Sequence, residues 1–209
     1  RVTLGAGSVT GAAVCDEVID AGAVFVVSPA FKPEVVAACR RRGVCVVAGA
    51  LTPTEILSAW EAGADVVKVF PAKAMGGAAY LRMVREPLPQ IPLTPTGGVT
   101  LETLAEYLKA GAPFVGAGGD LVGREAMQTG RMELITERAR RYGAVGQIEK
   151  PADITGGACR LGPPARLIRC RSARRYSSFS SSCVLVFVRG ADVEETTFAK
   201  VAVTRSPTR

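Results

Sequence analysis

Val66-Val-Lys-Val-Phe-Pro-Ala72 is a short apolar run with a single lysine, Lys68, near its centre. Its neighbours are β-branched or aromatic, and Glu61-Ala-Gly-Ala-Asp65 directly ahead has the composition of a helix end followed by a turn. The pattern predicts a buried strand of a parallel sheet. A lysine rarely lies in such a strand, because a charged amine is costly to bury. Either its stem packs while its amine reaches solvent, or an apolar pocket favours the neutral amine, which is a nucleophile towards carbonyl carbon.

The same order of helix, Ala-Gly-Ala and strand occurs three times along the chain. The triplets are Ala21-Gly22-Ala23, Ala62-Gly63-Ala64 and Ala110-Gly111-Ala112, and Gly43 occupies the equivalent place between the first two. This rhythm divides the chain into six predicted βα units, which are 1–22, 23–43, 44–63, 64–90, 91–111 and 112–142. Repeated βα units form a parallel sheet covered by helices, either doubly wound or closed as a barrel of eight units.

Residues with chemical or conformational peculiarities gather at the predicted carboxyl ends of the strands. They are Gly5, Gly7, Ser8, Ser28, Pro29, Gly49, Lys68 to Pro71, Thr96, Gly97, Gly98, Gly118 and Gly119. The helix-to-strand turns carry little besides alanine and glycine. The sequence therefore predicts one functional face, and the two glycine pairs that end the last two strands suggest a phosphate held by backbone N–H groups.

Composition limits the class of protein. The chain has 209 residues and a net charge of +7, but residues 1–142 carry 15 basic against 14 acidic side chains, whereas residues 143–209 carry 11 against 5. The basic, serine- and arginine-rich extension 143–209 is expected to be poorly ordered rather than an arm for an anionic partner, so no nucleic-acid partner is predicted. No apolar run suits a membrane span, no membrane partner is predicted, and the expected location is the cytoplasm.

Several kinds of site are disfavoured by the residue types. The chain has no histidine, and its six cysteines show no paired C-x-x-C spacing. A zinc site and a histidine-activated nucleophile are therefore not expected, and no metal is predicted.

Motifs on the predicted functional face together resemble one family. In chain order they are Gly5-Ala-Gly-Ser8, Ser28-Pro29, Lys68-Val-Phe-Pro-Ala72, Pro95-Thr-Gly-Gly-Val99 and the strand end Gly118-Gly119. They are similar to the 2-keto-3-deoxy-6-phosphogluconate (KDPG) and 4-hydroxy-2-oxoglutarate (KHG) aldolases, over residues 1–142. The resemblance implies an α/β fold of the (β/α)8 TIM-barrel type with about six of its units present, a class I aldolase without a cofactor, and a homotrimer.

The resemblance also implies roles for individual residues. Lys68 would form a Schiff base with the 2-keto carbon of a phosphorylated 2-keto-3-deoxy sugar acid, and pyruvate and glyceraldehyde 3-phosphate would leave. The residues that would bind the substrate are Ser8, Pro29, Phe70, Thr96, Gly97, Gly98, Gly118 and Gly119. Phosphogalactonate or hydroxyoxoglutarate substrates, and a non-catalytic remnant that binds phosphate, are alternatives.

The chain departs from the family pattern in three ways. Gly119 stands where the family usually has a serine, and Ser8 replaces the commoner threonine. The family's general-base glutamate and a carboxylate-binding arginine lie on a strand that would precede Arg1. Since a general base contributes roughly two to four powers of ten in rate, the activity of residues 1–209 alone is expected to be impaired.

Overall fold

The computed structural model describes residues 4–148 and 186–189. The strands of these residues are β1 Phe25–Val27, β2 Cys45–Ala50, β3 Val66–Val69, β4 Leu93–Pro95, β5 Phe114–Ala117 and β6 Val186–Arg189. The helices are α1 Ala12–Asp20, α2 Pro33–Arg42, α3 Pro53–Glu61, α4 Ala78–Arg85, α5 Leu101–Lys109, α6 Gly119–Val122, α7 Arg124–Thr129 and α8 Met132–Ile148. None of these described helices is both long and apolar enough to cross a lipid bilayer.

Strands and helices alternate as the sequence predicts. β1 to β4 form a parallel sheet in chain order. Parallel bridges extend the order on both sides, from Ala6 to Val26 and from Thr96 to Gly116 in β5. The parallel part of the sheet therefore runs through all six predicted units, which confirms the α/β class.

The sequence predicts that 120–142 is mostly helical, and the structure divides this segment into three helices. It consists of α6, α7 and α8, which are separated at Gly123 with φ 64° and at Gly130 with φ 68°. α8 also continues to Ile148, beyond the predicted limit of the barrel unit. The division of the chain at residue 142 stays a prediction.

β6 pairs with β5 in the antiparallel direction, so that Phe114 lies opposite Arg189 and Ala117 opposite Val186. The sequence suggests a strand-like run at 184–188, and β6 overlaps this run. The rest of the basic extension lies outside the described residues.

The two faces of the sheet bury different sets of side chains. On the helix side, Val67 and Val69 of β3 belong to a large apolar core with residues such as Leu81 and Leu104. On the opposite side, a small inner cluster consists of Phe25, Val27, Val47 and Val66. Because side chains alternate along a strand, Lys68 points to the side of Val66 and not to that of the helices.

The three Ala-Gly-Ala turns share one hydrogen-bond pattern. Their glycines have positive φ, which is 104° at Gly22, 95° at Gly63 and 86° at Gly111. In the first turn the Gly22 N–H donates to the Ile19 carbonyl, and the Ala23 N–H to the Val18 carbonyl. The other two turns repeat these bonds. This is the Schellman ending of a helix, which needs a left-handed residue, and it turns the chain from each helix into the next strand.

Candidate active site

Lys68 is buried near the carboxyl end of β3. Its side chain is 3% exposed, and Nζ lies 4.9 Å from the centroid of the Phe70 ring. In the sheet, Lys68 is in register with Gly49 of β2 on one side and Thr94 of β4 on the other. The lysine therefore stands above the inner cluster, between a position without a side chain and a threonine.

Gly49 is required by a close approach of the backbone. A Cβ atom at Gly49 would lie 2.4 Å from the carbonyl carbon of Pro29, which is closer than non-bonded atoms can stay. The Gly49 N–H donates to Oγ of Ser28 at 3.1 Å, and Ser28 is 1% exposed. The segment after β1 is thus held tightly over β2, and it brings Pro29 beside the row that contains Lys68.

The loops that follow β3 and β4 are joined by backbone hydrogen bonds. The Ala72 N–H donates to the Thr96 carbonyl at 2.9 Å, and the Lys73 N–H donates to the Gly97 carbonyl at 3.1 Å. A Cβ atom at Gly97 would lie 3.0 Å from the Phe70 ring, so the ring packs directly against this glycine. Lys68, Phe70, Thr96 and Gly97 consequently form one contiguous group.

Thr96 carries a buried hydroxyl that is not used by the fold. The residue is 6% exposed, and its Oγ1 has no hydrogen-bond partner among the described residues. Its neighbour on the same face, Thr94, donates to the Phe114 carbonyl at 2.8 Å. A buried hydroxyl without a partner is unfavourable, and a ligand at this end of the sheet would supply the missing acceptor or donor.

The remaining predicted site residues also follow the carboxyl ends of strands. Gly118 and Gly119 come after β5 and open the short α6, and a Cβ atom at Gly119 would meet open space. Ser8 is half-buried and follows the bridge between Ala6 and Val26. All nine predicted site residues thus lie at the same edge of the parallel sheet.

Two of the carboxylates that precede Lys68 in the chain, Asp65 and Glu55, are engaged elsewhere. Asp65, at the opposite end of β3, accepts from the Val46 N–H at 2.8 Å. Glu55 accepts from the backbone N–H groups of Leu51 and Thr52 at the start of α3. Among the residues that the structure describes, no group of three or more cysteine, aspartate or glutamate side chains is arranged to hold a metal.

Sequence reasoning placed Ser28 and Gly49 on the functional face without giving either a role, and it did not find Thr94, although all three shape the site. Ser28 and Gly49 end predicted strands, which was the available signal. Thr94 could have been found from the alternation of side chains on β4 only after the register with β3 was known.

A parallel sheet with alternating helices, and a functional edge at the carboxyl ends of its strands, places the protein in the (β/α)8-barrel class. A sequence model of the family described as "KDPG and KHG aldolase" matches residues 1–138. The chain belongs to this family of aldolases.

Comparison with individual proteins gives the same result. The chain is 38% identical over 135 residues to the 2-dehydro-3-deoxy-phosphogluconate aldolase of Treponema pallidum; the match covers 65% of this chain and 64% of that relative, which is less than two thirds of its length. The KDPG aldolase of Legionella pneumophila, solved with pyruvate captured at low pH as a covalent carbinolamine, is 31% identical with a TM-score of 0.61 over 65% and 66% of the two chains. A designed cube-shaped protein cage, made by fusing symmetric oligomeric domains, is 32% identical with a TM-score of 0.58 over 66% and 52%.

Proposed function

We propose that the protein is a class I aldolase that cleaves 2-dehydro-3-deoxy-6-phosphogluconate to pyruvate and glyceraldehyde 3-phosphate. The observation that supports this most directly is the position of Lys68, which is 3% exposed at the functional edge and in register with Gly49. A buried amine at this edge is placed where a nucleophile towards carbonyl carbon would act. Membership of the aldolase family supports the same assignment.

Lys68 would act as the nucleophile of the reaction. Its neutral amine adds to the C2 carbonyl and forms a carbinolamine, and loss of water gives the iminium. A base then removes the proton of the C4 hydroxyl, the C3–C4 bond breaks, and its electron pair moves into the iminium to form an enamine. The aldehyde leaves, C3 takes up a proton, and water releases pyruvate and regenerates the amine.

The other site residues would position the substrate. Phe70, which packs on Gly97, and Pro29, which crosses over Gly49, would shape the pocket for the pyruvyl group together with Ser8. The free hydroxyl of Thr96 would lie beside the substrate. Gly97, Gly98, Gly118 and Gly119 would bind the phosphate through backbone N–H groups, as the ends of the last two strands of such barrels do.

Trapping of the Schiff base tests the proposal. The protein is incubated with pyruvate and sodium borohydride, and the reduced adduct is located by peptide mass spectrometry. We expect the adduct on Lys68 in the wild type and its loss in Lys68→Ala. Lys73 serves as an internal control, because it is exposed and lies five residues further along the chain.

Two outcomes would contradict the proposal. One is an adduct spread over Lys73 and other exposed lysines but absent from Lys68. The other is the lack of any adduct in a chain that circular dichroism reports as folded, which would favour the non-catalytic phosphate-binding remnant. Aldol cleavage assays with phosphogluconate, phosphogalactonate and hydroxyoxoglutarate substrates then separate the three aldolase alternatives.

We also propose a homotrimer. Membership of the aldolase family and the similarity to a designed cage made by fusing symmetric oligomeric domains support an oligomer. Light scattering coupled to size-exclusion chromatography measures the mass directly, and a monomer would contradict the trimer. The cytoplasmic location stays a prediction.

A further inference from the structure

A second concave site lies on the helix side of the sheet, between α4 and α5. This α4–α5 cavity has a volume of about 290 Å³ and is lined by residues that include Lys73, Gly77, Arg82, Gly98, Glu106 and Tyr107. Lys68 points to the opposite side of the sheet, so the cavity is not the pocket of the proposed aldolase. Of the nine predicted site residues, only Gly98 is among the residues that line the cavity.

The amino-terminal end of α4 opens into this cavity. Gly77, the residue before the helix, provides no side-chain cap. Its carbonyl accepts a hydrogen bond from the Leu81 N–H. The N–H groups of Ala78 and Ala79 precede that bond, and both residues line the cavity. Free N–H groups at a helix start carry partial positive charge and bind anions.

Tyr107 provides a second and independent indication of a ligand. Its side chain is 2% exposed, yet its hydroxyl lines the cavity and makes no hydrogen bond with the described residues. The hydroxyl lies 3.4 Å from the position that a Cβ atom on Gly77 would occupy, so it points at the start of α4. A buried tyrosine hydroxyl usually has a partner, and here the open side of the cavity is where a partner would bind.

The charges around the cavity favour an anion. Lys73 and Arg82 are exposed cations that form no ion pair among the described residues, and Glu106 is the single carboxylate on the wall. Each of the groups named so far is a hydrogen-bond donor except Glu106. Lys73 is held in place because its side chain packs against Gly98, where a Cβ atom would lie 2.5 Å from that of the lysine.

We propose that the α4–α5 cavity binds a small anion that carries a phosphate group, at a site separate from Lys68. The phosphate oxygens accept from the N–H groups at the start of α4, from Arg82 and from the Tyr107 hydroxyl, while Lys73 adds positive charge. A phosphate with several acceptor oxygens matches this number of donors, and the volume leaves room for a short carbon chain.

Calorimetric titration of the full chain with inorganic phosphate tests the site. Arg82→Gln is expected to raise the Kd about tenfold, because a hydrogen bond to a charged group is lost. Glu106→Gln removes the carboxylate that repels the anion and is expected to lower the Kd about threefold. Arg41→Gln, on the exposed face of α2, is the matched control and should leave the Kd within about twofold of the wild type.

Tyr107→Phe is the most specific variant because it keeps the buried ring and the charge. We expect a Kd about threefold to tenfold higher and a thermal midpoint that is not lowered, since the hydroxyl has no partner within the described fold. Unchanged phosphate binding in Tyr107→Phe, Arg82→Gln and Glu106→Gln alike would overturn the site, because the binding would then belong elsewhere.

Titration with glycerol 3-phosphate identifies the kind of ligand. Tighter binding than that of inorganic phosphate would indicate a phosphate monoester, and equal binding would indicate free phosphate. Because the proposed aldolase pocket would also bind a phosphate, only the part of the binding that Arg82→Gln and Tyr107→Phe weaken is assigned to the cavity, and that part depends neither on turnover nor on the adduct on Lys68.

Discussion

Thr94 and Thr96 are identical residues on the same face, but their hydroxyl groups differ in their hydrogen bonding. Thr94 lies in β4, is fully buried, and donates its hydroxyl hydrogen to the Phe114 carbonyl. Thr96 directly follows the strand and buries a hydroxyl without a described partner. The first threonine therefore stabilises the sheet, and the second has a hydroxyl that the described fold does not use.

Replacement of Thr96 by valine is predicted to separate stability from binding. Loss of an unpaired buried hydroxyl should leave the free energy of unfolding unchanged or raise it by up to about 1 kcal/mol. The same change should lower the rate of borohydride-trapped adduct formation on Lys68 about tenfold, if the hydroxyl contacts the substrate. Denaturant unfolding and timed trapping measure the two effects.

Thr94→Val is the control for this pair because it makes the same chemical change on the same face. It leaves the Phe114 carbonyl without its donor and should cost about 1–2 kcal/mol of stability. An equal loss of stability in both variants would mean that the Thr96 hydroxyl is bonded within the fold.

At the scale of a single element, α3 shows how a local sequence motif determines a helix start. Thr52 accepts from the Glu55 N–H, and the Glu55 carboxylate accepts in return from the Thr52 N–H at 2.8 Å. These bonds from the backbone of Thr52 and Leu51 lower the pKa of Glu55 from its ordinary value of 4.5. This reciprocal arrangement is the capping box, and the sequence Thr-Pro-Thr-Glu predicts it.

Glu55→Gln is predicted to make the helix start less stable in a pH-dependent way. Because the pKa of Glu55 is lowered in the folded state, its stabilising effect is complete above the unfolded-state pKa and disappears as the pH falls through the folded-state pKa. At pH 7 the variant should be less stable by about 0.5–1 kcal/mol. Below the pKa of Glu55 the difference should vanish, because a protonated glutamate and a glutamine are then equivalent in charge.

Thermal unfolding of both proteins between pH 7 and pH 3 measures this difference. Glu61→Gln at the carboxyl end of α3 is the control, and it should not reproduce the loss, since a negative charge at that end of a helix is unfavourable. A gap that stays constant down to pH 3 would contradict the assigned role of the carboxylate.

Elements with strong local signals were predictable, and those that depend on tertiary contacts were not. Local signals mark the ends of α2 and α4, because α2 begins at Pro33, α4 follows Gly77, and basic residues stand in the last turn of each helix. The predicted strand 66–72 in fact ends at Val69. Ala72 leaves the strand because its N–H donates to the Thr96 carbonyl. Thr96 lies 24 residues further along the chain, so this contact depends on the tertiary fold.

At the scale of the whole molecule, β6 occupies the free edge of β5. An exposed strand edge offers unpaired N–H and C=O groups to other chains, and the pairing from Phe114–Arg189 to Ala117–Val186 uses them within the chain. Val188→Pro removes one N–H and should weaken this pairing. We expect faster hydrogen exchange at the amides of β5, with little change at β2 and β3.

Val188→Thr is the control, because threonine keeps the N–H and a high preference for strands. It should leave the exchange of β5 close to that of the wild type. Equal exchange in Val188→Pro and the wild type would show that β6 does not cover this edge in solution.

The sequence predicts which residues lie at the functional edge, but it does not predict which of their atoms are buried without a partner. The position of Lys68 in an apolar strand and the glycine pairs identify the functional edge, and the structure brings the nine predicted residues to that edge. The free hydroxyl of Thr96 and the α4–α5 cavity around Tyr107 depend on which atoms remain without partners after folding. Whether an atom keeps a hydrogen-bond partner depends on the packing of the whole chain, and no short motif encodes it.

The Ala-Gly-Ala turns have a consequence for how such a protein can change over generations. They close the helices at one end of the sheet, and every residue proposed to contact a substrate lies at the other. Mutational drift in the loops after the strands can thus explore new substrates while the glycines that redirect the chain stay untouched. A lineage built in this way can diversify its chemistry without having to reinvent its architecture, since the two are inherited at opposite ends of the same strands.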